Sequence, residues 1–208
     1  MAESAQSGKT LIVAMTGASG AMLTRELLLL LEADERVERV HFVPSESSLR
    51  VLAEELQIGG RNNLVAKLLG QESGKIVQHS PGDIGASIAS GSSAGDGMLV
   101  LPCSMGTLGS IAAGLADNLV ARAADVCLKE RRPLVLCVRE TPLNKIHLRN
   151  MQVAADAGAT IFPVIPSFYD HPVDVREMVR QYACRVLAHV GLPQTSAYRW
   201  TGKSRPVT

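Results

Sequence analysis

The chain has 208 residues, 46% of them hydrophobic, and a formal net charge of +1; it can bury one large core and has no electrostatic footprint for nucleic acid or a membrane surface. Three Phe, three Tyr and one Trp leave little material for base-stacking platforms, so nucleic acid is not an expected partner. The longest pure apolar run, Leu27 to Leu31, is far too short to cross a bilayer, and Met1 to Gly8 lacks the charged-then-apolar order of a secretory signal; a cytoplasmic protein without membrane attachment is expected.

Apolar runs of strand length alternate with segments of helical period. Thr10 to Met15 reads as a strand, Ala21 to Leu31 as a helix, Val37 to Val43 as a strand and Ser47 to Leu56 as a helix. Gly59 to Ser80 breaks the alternation with Gly59, Gly60 and scattered polar residues, leaving an irregular connection with a short helix near Leu64 to Leu69. A Ser/Gly/Ala-rich stretch, Ala86 to Gly97, leads to a buried strand from Met98 to Leu101. Beyond it the pattern predicts helices at Thr107 to Ala113 and Asn118 to Lys129, a strand at Leu134 to Val138 and a helix at Lys145 to Ala157. A strand at Thr160 to Pro163 and a helix at Val173 to Val190 complete it, with Gly158 and Gly191 where helix stops belong. The alternation implies one α/β domain over residues 1–208, with tails at 1–9 and about 201–208 that are flexible or contact other subunits. Its expected architecture is a doubly wound, Rossmann/flavodoxin-like, mostly parallel sheet with helices on both faces.

Two turns stand at strand ends where such folds bind ligands: Thr16 Gly17 Ala18 Ser19 Gly20 and Pro102 Cys103 Ser104 Met105 Gly106 Thr107. Each follows an apolar strand and opens a helix, so small residues and free amides at a positive dipole end attract phosphate or another anion. Two such turns on one sheet point to a nucleotide cofactor and a second anionic ligand. Ser7 Gly8 Lys9 Thr10 imitates the end of a Walker A loop, but Glu3 replaces the first glycine and the motif precedes a strand instead of following one. A nicotinamide dehydrogenase is disfavoured too, because the second strand ends Phe42 Val43 Pro44 Ser45 with no acid to hold a ribose. A hydroxyl there suits a phosphate or ribityl group. Cys103, Cys127, Cys137 and Cys184 show no paired spacing and read as reduced, buried thiols, and the five histidines form no metal constellation.

The stretch Asp117 to Met151, DNLVARAADVCLKERRPLVLCVRETPLNKIHLRNM, closely resembles the UbiX/Pad-type flavin prenyltransferases, together with the upstream MTGASG, ASGSS and PCSMGT segments. The likeness continues through Gly158 Ala159, Pro163, Pro166 and Phe168 Tyr169, covering about Leu11 to Trp200. It implies a homo-oligomer, a dodecamer, that binds FMN and attaches a dimethylallyl group to the reduced flavin. The implied donor is dimethylallyl monophosphate, the leaving group departs without a metal ion, and the prenylated FMN serves a partner UbiD-type decarboxylase. Two alternatives belong to other classes: an FMN-dependent decarboxylase of the phosphopantothenoylcysteine type, and a non-catalytic flavin-binding subunit. The first would want a histidine near the Ser-rich segment, and Gly82 to Gly114 contains none.

Carried over residue by residue, the resemblance assigns flavin contacts to Gly17, Ala18, Ser19, Ser45, Ser104, Met105, Gly106, Thr107 and Arg139, the last a planar cation suited to an anionic flavin edge or phosphate. It assigns the donor phosphate to Arg122, Lys129, Tyr169 and Arg185. Four convergent donors can stabilise a departing phosphate by charge-assisted hydrogen bonds, some of them supplied by neighbouring subunits. Arg122 and Lys129 are seven apart, on one helix face. Glu140, after Arg139 at a strand end, is the candidate for proton chemistry, with Ser19 and a second acid, Glu55, beside it in the catalytic set. Helical phase decides whether Glu54 or Glu55 faces the site. The loop after the second strand puts an acid, Glu46, directly beside Ser45 where many relatives carry a basic residue, which alters the charge near the flavin.

Overall fold

The computed structural model describes residues 8–93 and 95–199. Within them β1 (Lys9–Met15), β2 (Val37–Pro44), β3 (Ile76–Gln78), β4 (Gly97–Cys103), β5 (Leu134–Val138) and β6 (Thr160–Ile161) form one sheet in the order β3-β2-β1-β4-β5-β6. Every pairing is parallel, so the expected mostly parallel sheet is parallel throughout the described residues. The order is that of a Rossmann fold, and its reversal between β1 and β4 opens a crevice at the carboxyl ends of those two strands. The first expected tail is shorter than its range, because Lys9 already belongs to β1 and its Nζ donates to the Val190 carbonyl at 3.2 Å. The Walker-like Lys9 is thereby consumed in the fold. Residues 1–7 and 200–208, which include the rest of both expected tails, lie outside the described residues.

Helices cover both faces because both are apolar, as the near-continuous hydrophobic strands require. On one face α1 (Ala21–Ala33), α2 (Glu46–Leu56), α3 (Leu64–Leu69) and α7 (Val175–His189) enclose Leu27, Leu31, Phe42, Leu52, Leu68 and Leu187. On the other, α4 (Met105–Ala112), α5 (Leu119–Lys129) and α6 (Lys145–Asp156) pack over Ile12, Val100, Leu119, Ala123 and Leu136. Burying each of the larger of these side chains is worth about 1.5–3 kcal/mol. All four cysteines are buried thiols, and burial pushes Cys127 to about 11 and Cys137 to about 12.

The elements follow the expected ones closely, with differences that have local causes. The region 59–80 contains a third strand, β3, besides the expected short helix. The stretch from Ala86 to Gly97 folds into two short 3₁₀ turns, Ser87–Ala89 and Gly91–Ser93. Helix α4 starts at Met105 and α2 at Glu46, each earlier than its sequence pattern predicts, because Ser104 and Ser45 act as N-caps: their hydroxyls accept from the Thr107 and Ser48 amides. The last helix begins at Val175 behind the cap Asp174, not at Val173, and β6 stops at Ile161 instead of Pro163.

Candidate active site

Five chain segments leave the carboxyl edge of the sheet side by side, and most of the sequence-assigned residues lie on them. Thr16 ties two of the turns together: its hydroxyl donates to the Pro102 carbonyl at 2.8 Å and accepts from the Ser104 amide at 2.8 Å. The Ser45 amide donates to the Met15 carbonyl at 2.9 Å, and the Ser45 and Ser47 hydroxyls lie 3.1 Å apart. Gly17 packs so closely on Ser47 that a Cβ there would come within 2.4 Å of the Ser47 hydroxyl, a reason for glycine independent of any ligand. The Arg139 amide donates to the Cys103 carbonyl at 3.1 Å, and Val164 to that of Val138 at 2.9 Å, which adds the β5 and β6 ends to the row. Gly17, Ala18, Ser19, Ser45, Ser104, Met105, Gly106, Thr107, Arg139 and Glu140 are thus brought to one edge by a single chain.

A flat, phosphate-bearing ligand fits this row. Among the described residues, the amides of Gly17, Ala18 and Ser19 take no part in backbone–backbone hydrogen bonding, and open space lies over exposed Gly106 in the first turn of α4. FMN is the cofactor these donors suit: amides and hydroxyls for the phosphate and ribityl chain, with the Arg139 guanidinium available for the ring system.

The start of α1 departs from the expectation of a free anion site. Gly20, at φ 132°, lets the chain turn into the helix, and the Glu55 carboxylate accepts from the Gly20 amide at 3.1 Å and the Ala21 amide at 2.7 Å. An internal acid from the last turn of α2 therefore sits where the dipole of α1 favours an anion. The same contact settles the phase of α2: Glu55 faces the crevice, while Glu54 pairs with Arg50 at 2.8 Å on the outer surface. Glu55 and Ser19 together line a largely apolar, open cavity of about 310 Å³, with Met22, Val164, Met178 and Tyr182 among its walls. A second cavity of about 270 Å³ is lined by Arg139, Glu140, Met151 and Ile165. There Glu140 accepts from the Thr141 amide at 3.0 Å, and no ion pair with Arg139 forms among the described residues.

The donor-phosphate set divides. Tyr169, 70% exposed, lies on the loop after β6, and Arg185 is exposed on α7. Arg122 and Lys129 share one face of α5, as their spacing predicts, and that face rests on the 3₁₀ turns. Arg122 Nε donates to the Ala89 carbonyl at 3.1 Å, and Lys129 Nζ lies near Gly91. Each is paired with an acid of its own helix end, Arg122 with Asp125 at 3.0 Å and Lys129 with Glu130 at 2.7 Å. Helix α5 runs against the strands, from the Leu119 amide bonded to the Pro81 carbonyl beyond β3 down to Arg132, whose guanidinium bonds Gly95 near the start of β1. Lys129 therefore stands toward the amino-terminal edge of the sheet, away from the turns at Gly17, Ser45 and Ser104. Sequence reasoning missed Arg61, whose guanidinium reaches the carboxyl edge from the irregular 59–80 region; no local pattern marked it.

Residues 1–180 match the family described as Flavoprotein. The chain is 42% identical over 194 residues to the flavin prenyltransferase UbiX of Pseudomonas aeruginosa, covering 90% of this chain and 92% of that protein. The chain belongs to the UbiX-type flavin prenyltransferases. Two solved structures of UbiX-type proteins superpose over nearly all of it. AnUbiX (PadA1), in complex with FMN and dimethylallyl pyrophosphate, matches with a TM-score of 0.86 and 40% identity, over 95% of this chain and 100% of that one. A dodecameric FMN-dependent UbiX-like decarboxylase from Escherichia coli O157:H7 matches with a TM-score of 0.82 and 44% identity, over 93% and 100%. FMN is the flavin bound by AnUbiX, and the carboxyl-edge row of this chain presents amide and hydroxyl donors. Among the described residues no helix is long and apolar enough to cross a membrane, and no group of three His, Cys, Asp or Glu side chains is placed to hold a metal ion.

Proposed function

We propose that this chain transfers a dimethylallyl group from dimethylallyl monophosphate to reduced FMN, without help from a metal ion, and that the prenylated FMN is handed to a UbiD-type decarboxylase in the cytoplasm. The observation that carries this reading is the row of cross-bonded turns at the carboxyl edge, opening onto cavities that hold Glu55 and Glu140. Support for the donor class comes from AnUbiX, whose structure is in complex with FMN and dimethylallyl pyrophosphate. The decarboxylase and the non-catalytic alternatives are not favoured, since the curated relatives at 42–45% identity carry the prenyltransferase activity in their names.

Gly17, Ala18, Ser19, Ser45 and Ser104 to Thr107 hold FMN, with its phosphate toward Ser45, and Arg139 orients the ring system. Bound reduced FMN supplies the electron-rich ring that accepts the prenyl carbon. Glu140 moves the proton that this substitution releases, from the solvent-accessible end of β5. Ser19 and Glu55 face the donor, Glu55 pre-oriented by the α1 amides. Tyr169 and Arg185 of one subunit, with Arg122 and Lys129 of another, receive the departing phosphate and supply the charge stabilisation otherwise given by a metal. This division needs a homo-oligomer; we infer a dodecamer, the state of the Escherichia coli neighbour.

The test is anaerobic incubation of the purified protein with reduced FMN and dimethylallyl monophosphate, without added metal, followed by mass spectrometry of the extracted flavin. A flavin heavier by one prenyl unit is expected. Unmodified FMN that co-purifies with the protein would overturn transfer from this donor.

A further inference from the structure

The acid Glu46 is the first residue of α2, immediately after Ser45. An acid there suits the helix dipole but opposes a second negative charge at the same turn. Glu46 is met by Arg61, from 15 positions further along the chain, whose Nη2 lies 2.7 Å from the Glu46 carboxylate. Arg61 Nη1 donates to the Pro44 carbonyl at 3.1 Å, so the guanidinium spans the peptide on one side of Ser45 and the acid on the other. The Arg61 side chain is 24% exposed and that of Glu46 76% exposed. Its Nη2 is buried and has no aligned hydrogen-bond acceptor; the contact with Glu46 is an ion pair by distance only. The backbone of Arg61 is held in turn, its carbonyl accepting from Gln78 Nε2 at 3.1 Å and from the Leu64 amide at 3.3 Å. The cation is thus fixed from β3 and α3, two elements that contribute no assigned flavin contact.

We propose that Arg61 is a positioning residue for the FMN phosphate: it neutralises Glu46 so that a dianion can be held at the Ser45 turn. The inference rests on the placement of the phosphate toward Ser45. Without the guanidinium, a bound phosphate and the Glu46 carboxylate repel each other at one helix start. With it, the turn is electrically neutral before the ligand arrives, and the amides and hydroxyls decide affinity. A rival role is purely mechanical, in which Arg61 braces the loop through the Pro44 carbonyl.

Riboflavin, which lacks the phosphate, separates the two roles. Dissociation constants of oxidised FMN and riboflavin are measured by flavin fluorescence on the flavin-free oligomer of wild type, Arg61→Met, Glu46→Gln and the double variant. Arg61→Met is expected to weaken FMN by about tenfold, equivalent to about 1.4 kcal/mol, while riboflavin binding stays the same. Adding Glu46→Gln restores FMN affinity, and Glu46→Gln alone, which keeps the fold if Arg61→Met does not, tightens FMN relative to riboflavin. Equal losses for both flavins would establish the brace, and an FMN-selective loss without rescue by Glu46→Gln would show that Arg61 does not act by neutralising Glu46; either result overturns the proposal. Ser45→Ala separates the premise: an unchanged FMN-to-riboflavin ratio in that variant removes the phosphate from the turn, and the role of Arg61 with it. A lowered ratio in Ser45→Ala with an unchanged one in Arg61→Met removes Arg61 alone.

Discussion

The carboxyl edge of the sheet and the Arg122–Lys129 face of α5 both carry residues assigned to ligand binding, yet a single chain gathers only the first set into one row. Thr16, Ser45, Ser104 and Arg139 are bonded across four strand ends into a continuous row. Arg122 and Lys129 instead rest on the 3₁₀ turns, each paired with its own acid, and Lys129 stands toward the far edge of the sheet. Under the proposed assignment, flavin binding is a property of the folded chain, whereas phosphate departure is a property of the assembly. Half-exposed pairs such as Lys129 with Glu130 are worth little in water, so exchanging Glu130 for an incoming phosphate costs little.

Substitutions that separate binding from transfer test this contrast. The largest effect is expected for Glu140→Gln, which keeps FMN affinity and slows prenyl transfer by about 10³-fold, within the range of general acid–base contributions; normal turnover would remove Glu140 from the mechanism. Lys129→Ala slows transfer by about 10²-fold, as loss of one charge-stabilising donor does, and leaves an FMN titration unchanged. A drop in FMN affinity in that variant would erase the distinction between the two regions. Arg139→Ala acts on the other side of the contrast, weakening FMN about tenfold, or about 1.4 kcal/mol; unaltered affinity would place Arg139 off the flavin. Tyr169→Phe raises the donor KM about fivefold, the worth of one hydrogen bond near 1 kcal/mol, and an unmoved KM would put Tyr169 outside the donor site.

The smallest effect lies outside both regions and serves as their control. His41 Nδ1 and His79 Nε2 are 2.9 Å apart where β2 meets β3. Burial, then the neighbouring His79 and Arg39 charges, holds His41 at about 4, and burial also lowers His79 against the opposing pull of Asp83. The unfolded chain binds these protons more readily, so their contribution to stability is complete above pH 6.5 and is lost as pH falls toward 4. Thermal unfolding of wild type should show Tm falling across that window, and His41→Asn should flatten the fall without altering the FMN titration at neutral pH. Parallel profiles would remove the pair from the acid response.

Most of the fold was legible because long apolar runs of clear period dominate it; β1, α1, β5 and α6 were expected within two residues at each end. Strand β3 was not, since three residues between polar neighbours carry no period. The turn residues were legible through their small side chains, and the shared face of Arg122 and Lys129 through their spacing. The capping of α1 by Glu55 was not, because it joins positions 34 and 35 residues apart through space. Arg61 escaped for the same reason: a cation in an irregular connection has no sequence signature until the strands place it beside Ser45.

Both outermost strands of the sheet are brief, β3 with three residues and β6 with two. Their unpaired backbone groups offer too short a template for another chain to continue the ladder, a device that guards against edge-to-edge aggregation. In the proposed homo-oligomer, copies of this chain would therefore meet through side chains, and exposed apolar residues such as Leu143, Ile146, Leu148, Ile165 and Phe168 offer material for such contacts. Such an assembly through helices and loops would also leave the carboxyl ends of the strands free of competing β-pairing.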